Sequence, residues 1–361
     1  MSENKSMSWK NTFLKGITRL LASSKNEVQD AKCPRILVVS TTGLGDSLWG
    51  TPAVRAIKAQ FPEAFLGLLT SPIGTALYRN SPYVDEIFTV KNPILSSCKT
   101  LLSPLKNRQF EIALIFHLSQ RPILPLVALC GPSRIIGTAG INKGLDEMLT
   151  EPLKQKYQHE IKRRLEMVEA IGASTHESQM EIFLTAGEQD TIQKFLKNAP
   201  FPVGIHPGAK DKFKQWAPNH FANLGKRLQK EYGAQVFITG NQDEKLLAQK
   251  VADRIPGAKS VAGKFSVRET AALIEKFKVF LTNDTGPMHI AYAMKTPTFS
   301  LFVPTDAFLC GPYKILDARF IQKNPTCSPC IRKQCRVPFC LEQISELESW
   351  NEIKKLIKVS N

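Results

Sequence analysis

The sequence predicts an α/β protein of two halves, each built on a parallel sheet, with a cleft between them. Three observations carry this expectation. From residue 35 onward, short β-rich apolar runs alternate with stretches of helical spacing, and strands that alternate with helices pair in parallel. The alternation pauses near residues 187–201 and then resumes. A chain of 361 residues is also too long for one ordinary core and suits two.

Composition narrows the class. Hydrophobic content of 43% and charged content of 22% indicate a globular chain. The longest apolar candidate for a membrane span, residues 123–130, is broken by Pro125 and is far too short. The N-terminus lacks the apolar core of a secretory signal, so the expected location is the cytoplasm. A net charge of +16 favours a polyanionic partner: nucleic acid, an anionic lipid surface or a phosphorylated substrate. No RNP, zinc-finger or basic-zipper pattern supports nucleic acid.

Residues 1–32 come first. Trp9, Phe13, Ile17, Leu20 and Leu21 share one helical face, interrupted by Lys10, Lys15 and Arg19. Such a basic amphipathic helix suits an anionic membrane surface, an ordinary packed position or, third, an organelle transit peptide.

The stretch 36–52 organises the first half. The apolar run Ile36-Leu37-Val38-Val39 ends in small residues and Gly43-Leu44-Gly45-Asp46, and Val54, Ile57 and Phe61 continue with helical spacing. This is a buried parallel strand, a tight loop and a helix. Ligands of open α/β sheets bind at the carboxyl ends of strands, where Gly43, Gly45 and Asp46 stand. A P-loop is excluded because no Lys follows Gly45. A dinucleotide fingerprint is excluded because Leu48 occupies the third glycine position and the next strand, 65–69, ends in Thr70-Ser71 without a carboxylate. There remains a glycine loop that presents Asp46 over the sheet edge, unless Asp46 only caps the helix.

The rest of the first half reads as a strand at 65–70, a helix at 74–80, strands at 86–90 and 111–117, a helix at 122–130, a short strand at 134–137, and a helix at 159–171 carrying His159, Arg163 and Arg164. Loop signals fill 172–179, and 186–202 bridges to the second set. There, strands fall at 203–206, 235–239, 279–282 and 298–302, and helices at 221–232, 243–254 and 288–294. Ser266-Val267-Arg268-Glu269 has capping-box spacing and opens a helix to Lys276.

Three loops of the second half share one sheet edge. The loop from His206 to Trp216 carries Lys210, Lys212 and Lys214 within five residues; it can neutralise phosphate oxygens, or be a solvated surface loop. Thr239-Gly240-Asn241 is a strand-to-helix turn. In Asn283-Asp284-Thr285-Gly286-Pro287-Met288-His289, Pro287 suits the start of a helix and Thr285-Gly286 leave backbone donors free. Such a helix N-terminus favours a diphosphate by about 0.3–1 kcal/mol. His289, in the first turn, is either a ligand candidate or a satisfied structural histidine.

Together, Gly45-Asp46-x₄-Thr51-Pro52, His206-Pro207-Gly208 with Lys214-x-Trp216, and Asp284-Thr285-Gly286-Pro287-x-His289 resemble the motifs of the ADP-heptose:lipopolysaccharide heptosyltransferases and their relatives, in order, from about residue 35 to residue 313. The resemblance implies a GT-B fold: a Rossmann-like acceptor domain over 33–186 and a Rossmann-like nucleotide-sugar donor domain over 187–325. It implies inverting transfer of heptose from a nucleotide-heptose to a phosphorylated lipopolysaccharide core acceptor, with no required metal or cofactor, by an enzyme at the inner membrane. Asp46 matches the family's catalytic base. Lys214, Asp284, Thr285, Gly286 and His289 match its donor positions, with His206 and Gly240 on the same edge; Gly43, Gly45 and Thr51 frame the acceptor loop. The two sets lie on opposite halves, so catalysis is expected to need closure. The alternatives are a relative using another nucleotide sugar and a noncatalytic nucleotide-sugar or lipid-binding protein of the same fold.

The tail, 326–361, holds Cys327-x₂-Cys330-x₄-Cys335-x₄-Cys340. The spacing is that of a zinc knuckle with Cys335 in the histidine place; structural zinc and plain structural thiols are both open. The resemblance implies no catalytic metal there. A final helix over 345–359, with Leu347, Trp350, Ile353, Leu356 and Ile357 on one side, is expected from the family's pattern to pack back on the first domain.

Overall fold

The computed structural model describes residues 32–118, 120–327, 330, 331, 335 and 339–359, together with 16, 25, 26 and 30. The amphipathic segment expected over 1–32 lies outside the described residues except for these last few. Asn26 is fixed: its backbone N–H donates to Gly131 O at 2.7 Å, and its Nδ2 donates to Phe110 O and Cys130 O. No helix among the described residues is long and apolar enough to cross a membrane.

The chain forms two compact units, Met1–Ser178 and Gln179–Asn361. In the first, the elements run β1 (Arg35–Ser40), α1 (Leu44–Trp49), α2 (Thr51–Gln60), β2 (Phe65–Thr70), α3 (Pro72–Tyr78), β3 (Glu86–Thr89), α4 (Ile94–Asn107), β4 (Ile112–His117), α5 (Ile123–Leu129), β5 (Arg134–Thr138), β6 (Glu151–Leu153) and α6 (Glu160–Glu169). The sheet order is β3-β2-β1-β4-β5-β6, with every neighbouring pair parallel. β1 sits at the centre, and Ile36, Leu37, Val38 and Val39 have no exposed surface. A strand covered on both faces needs an unbroken apolar run, which is why the sequence signal here is so clear. Chain order reverses between β1 and β4, so their carboxyl ends form the switch point of this sheet.

The second unit repeats the plan: α7 (Ala186–Leu196), β7 (Pro202–His206), α8 (Pro218–Tyr232), β8 (Gln235–Ile238), α9 (Lys245–Ala252), β9 (Lys259–Ser260), α10 (Val267–Glu275), β10 (Val279–Asn283), α11 (Gly286–Ala293), β11 (Thr298–Phe302), α12 (Ala307–Cys310), β12 (Ala318–Gln322) and α13 (Glu346–Val359). Its order is β12-β11-β10-β7-β8-β9, again all parallel, and its switch point lies between β7 and β10.

The units divide earlier than the bridge at 187–201 suggested. Residues 179–186 belong with the second unit because their polar groups are answered there. Gln179 Nε2 donates to Tyr292 O at 2.9 Å, and the buried Arg268 donates to Phe183 O and to both carboxylate oxygens of Glu188. The bridge itself is mostly α7, opened by a capping box between Thr185 and Glu188. The tail also corrects an expectation. Trp350, Ile353, Leu356 and Ile357 are buried in the core of the second unit with Val203, Leu281 and Phe299, so α13 completes the second sheet's cover.

Candidate active site

The first site grows from the end of β1. Gly43 caps α1 without any side-chain bond, and Asp46 is the third residue of that helix. Asp46 is therefore not the cap, and Gly45 lies in the first helical turn, not in an open loop. Thr51 opens α2, buried, with its hydroxyl donating to Leu48 O at 2.9 Å; it shapes the backbone of the loop. What aims the Asp46 carboxylate comes from α6. Arg164, with no exposed surface, reaches Asp46 Oδ1 through Nη2 at 3.4 Å. Its other amino group donates to Glu160 O and to Glu160 Oε2 at 2.9 and 2.6 Å, and its guanidinium lies over the Trp49 ring at 5.4 Å. Arg163 also binds Glu160 Oε2, at 2.6 Å, and donates to Phe116 O at 3.0 Å. His159 caps α6, its Nδ1 accepting from Ile161 N.

These contacts set the local charge. Burial pushes the Glu160 carboxyl up, but the guanidiniums of Arg164 and Arg163 outweigh it and hold the carboxyl at about 2. Burial lowers the His117 imidazole; the Asp46 carboxylate opposes the shift and Arg164 and Arg163 add to it.

In the second unit the expected residues gather at the ends of β7, β8 and β10. Asn283, with no exposed surface, ties two loops together: its Oδ1 accepts from Trp216 N at 3.1 Å while its Nδ2 donates to Pro207 O and Gly208 O at 2.9 and 3.3 Å. Lys214 Nζ donates to Asp284 Oδ2 at 2.5 Å. Of the three loop lysines, Lys210 and Lys212 are exposed and Lys214 is not, so only Lys214 is built into the site.

His206 is buried and shares a hydrogen bond with Thr239 Oγ1 at 3.1 Å; its Nε2 lies 3.9 Å from Glu244 Oε2. It braces the edge from within, and burial lowers its pKa against the pull of Glu244. A Cβ on Gly208 would come within 2.1 Å of Glu244 Oε1, so a larger residue there would require the Glu244 side chain to move. Gly240 is similarly confined by Ala262 and Glu244. Thr285 caps α11 without a side-chain bond and Pro287 is its second residue. His289 is buried, its ring edge-on to Tyr292 at 6.0 Å.

Among the described residues, Cys327, Cys330, Cys335 and Cys340 included, no group of three or more His, Cys, Asp or Glu side chains is placed to hold a metal. Cys340 is buried, and its Sγ accepts from Thr326 Oγ1 at 3.9 Å.

Residues 125–340 match the family model described as glycosyltransferase family 9 (heptosyltransferase). The chain belongs to glycosyltransferase family 9. The family 9 chain is 24% identical over 329 residues to lipooligosaccharide heptosyltransferase 2 of Campylobacter jejuni, covering 89% of itself and 99% of that relative. Its fold is that of a family 9 glycosyl transferase from Veillonella parvula, with a TM-score of 0.81 at 18% identity over 90% of this chain and 97% of the other. The E. coli ADP-heptose lps heptosyltransferase II aligns with a TM-score of 0.74 at 18% identity, over 90% and 98%. The expected GT-B class is thereby shown.

Sequence reasoning noted Arg163 and Arg164 and read Asn283 within its loop but gave them no role, and it passed over Glu160, His117 and Glu244. The available signal was the pair of adjacent arginines with an acid three and four residues before them, a spacing that places all three within reach on one helix. The Glu160 network makes a pH prediction. The folded pKa of about 2 lies below the reference 4.5, so its stabilisation is present above about 4.5 and is lost as pH falls through about 2. Urea unfolding across this window should show stability falling more steeply with acid for wild type than for Glu160→Gln, which cannot titrate there; equal slopes would dissociate Glu160 from the acid response.

Proposed function

We propose that this family 9 glycosyltransferase moves heptose, with inversion and without a metal, from a nucleotide-heptose to a phosphorylated sugar of the lipopolysaccharide core. The donor is ADP-heptose, as in the name of the E. coli structural relative. One observation carries the reading: a carboxylate at the switch point of the first sheet, aimed by a fully buried arginine. Asp46 removes the proton from an acceptor hydroxyl as that oxygen attacks the anomeric carbon. The bond to the diphosphate breaks, and the negative charge that develops there is met by charge and dipoles of the second unit. Lys214 keeps donors to spare beyond the one given to Asp284, because an ammonium carries three. The N-terminus of α11 adds backbone N–H groups. Asp284 thus acts by holding Lys214 in place.

Asp46→Asn keeps the shape and removes the base. Turnover should fall by about 10²–10⁴-fold, the usual value of a positioned base, with donor affinity unchanged; near-normal turnover would remove Asp46 from this role.

Lys214→Ala deletes a charge-assisted contact worth about 1.5–3 kcal/mol, so kcat/KM should drop by roughly 10–100-fold. Part of the loss should appear in kcat, since the contact strengthens as the leaving group gains charge. Unchanged turnover and unchanged affinity for the free nucleoside diphosphate would place the leaving group elsewhere.

The basic segment before Asn26 and the net charge of +16 support peripheral attachment to an anionic membrane surface on the cytoplasmic side. Removing residues 1–24 should weaken sedimentation with phosphatidylglycerol-containing vesicles while urea unfolding stays as in the full chain. Vesicle binding of full strength in the truncated chain would exclude this segment as the anchor.

A further inference from the structure

The loop that carries Lys214 ends in Trp216, to which the base and leaving-group assignments give no role. Trp216 is buried, and two rings of α8 hold its indole. His220 stacks on it, with centroids 4.6 Å apart and planes inclined by 23°, and Phe221 meets it edge-on at 5.3 Å. Its backbone N–H is taken by Asn283 Oδ1, so ring and main chain are both fixed. Only Gln215 separates it from Lys214.

The C-terminal tail reaches this loop through His220. Glu346, which opens α13, accepts from His220 Nδ1 at 2.7 Å and from Asn223 Nδ2 at 2.8 Å. Glu342, in the 3₁₀ turn Phe339–Gln343, has its Oε2 3.5 Å from His220 Nε2. Both carboxylates meet solvent, so neither contact is strong by itself. Nor does the tail need them to stay in place: Trp350, Ile353, Leu356 and Ile357 already bury α13 in the core, and Arg227 lies over the Trp350 ring at 4.5 Å. What the two carboxylates supply is orientation. An imidazole held at its edge keeps its flat face on the indole, and that stacked contact is the stronger part of the chain.

We propose that the tail sets the geometry of the Lys214 loop, with His220 as the positioning residue. Glu342 and Glu346 orient His220, His220 braces Trp216, and Trp216 fixes the backbone two residues from Lys214. His220 acts through Trp216 and not on the substrate. The inference rests on the assignment of Lys214 to the leaving diphosphate, and it adds the tail to that site.

The test is calorimetric binding of ADP to the full chain and its variants. His220→Ala should weaken binding about fivefold, the range of a lost aromatic contact. His220→Phe, which keeps a ring but not its ties to the tail, should recover part of this. Glu346→Ala should weaken binding about threefold. The Lys214→Ala background separates positioning from plain structural support. With Lys214 already removed, neither His220→Ala nor Glu346→Ala should cost further ADP affinity, because each acts through that lysine. Unchanged ADP affinity in His220→Ala overturns the proposal, as does a loss that adds in full to that of Lys214→Ala. Should His220→Ala not fold, Glu346→Ala carries the same comparison: no loss, or a fully additive one, overturns the proposal. The two assignments also separate. Weak ADP binding by Lys214→Ala beside normal binding by His220→Ala ends this inference and leaves the leaving-group assignment standing; normal binding by Lys214→Ala ends both.

Discussion

A guanidinium with no access to water is costly unless charge and hydrogen bonds surround it, and Arg164 sets that requirement for the edge of the first sheet. Its solution recruits Glu160 from the preceding turn of its own helix, the Trp49 face from the end of α1, and Asp46 from the start of α1. Glu160 matters most, because without it the buried guanidinium keeps only the longer contact to Asp46. The placement of α6 against α1 and α2 results from this, and with it the direction of the Asp46 carboxylate. A surface lysine in the same place would hold Asp46 weakly and leave it mobile; a buried arginine fixes both position and sign.

The second unit solves a related problem by different means. Its half-buried cation, Lys214, is held by Asp284, and the loops carrying both are fastened by the amide of Asn283. Both units therefore place a paired charge at a switch point between strands, and both use a partner from within the same unit to orient it. In the proposed transfer, such pairing would fix each charge before substrate arrives.

Much of the fold was legible in the sequence, for reasons that differ by element. The strand at 298–302 was read to the residue, and β1 within one, because a doubly covered strand has no polar face to confuse the pattern. The capping box at Ser266 and Glu269 declared the start of α10. Helix α4 was passed over because Pro104 interrupts its periodicity, and α7 because its burial is slight: only Ile192 is fully buried. The short edge strands β6 and β9 gave no run long enough to detect, and in β12 the polar Arg319 and Gln322 break the apolar run. In the sites, the motifs put Asp46, Lys214 and Asp284 at sheet edges, where the fold has them. Their partners were invisible because proximity there is tertiary: Arg164 lies 118 residues from Asp46, and Asp284 lies 70 from Lys214. Asp46 looked like a cap because its residue type suits one, whereas the helix is capped earlier, at Gly43.

Asn283 has one more implication. Its single side chain accepts from one backbone N–H and donates to two backbone carbonyls. Only a carboxamide can do both; an aspartate of the same size would set its oxygens against the carbonyls of Pro207 and Gly208. Slow hydrolytic deamidation at this position would change no more than one atom group, yet it would turn a fastening into a repulsion and free the lysine loop from β10. An amide tether also carries no charge to screen or titrate. The Asn283 fastening is thus insulated from salt and acid, unlike the Lys214–Asp284 pair beside it and the ionic edge of the first unit.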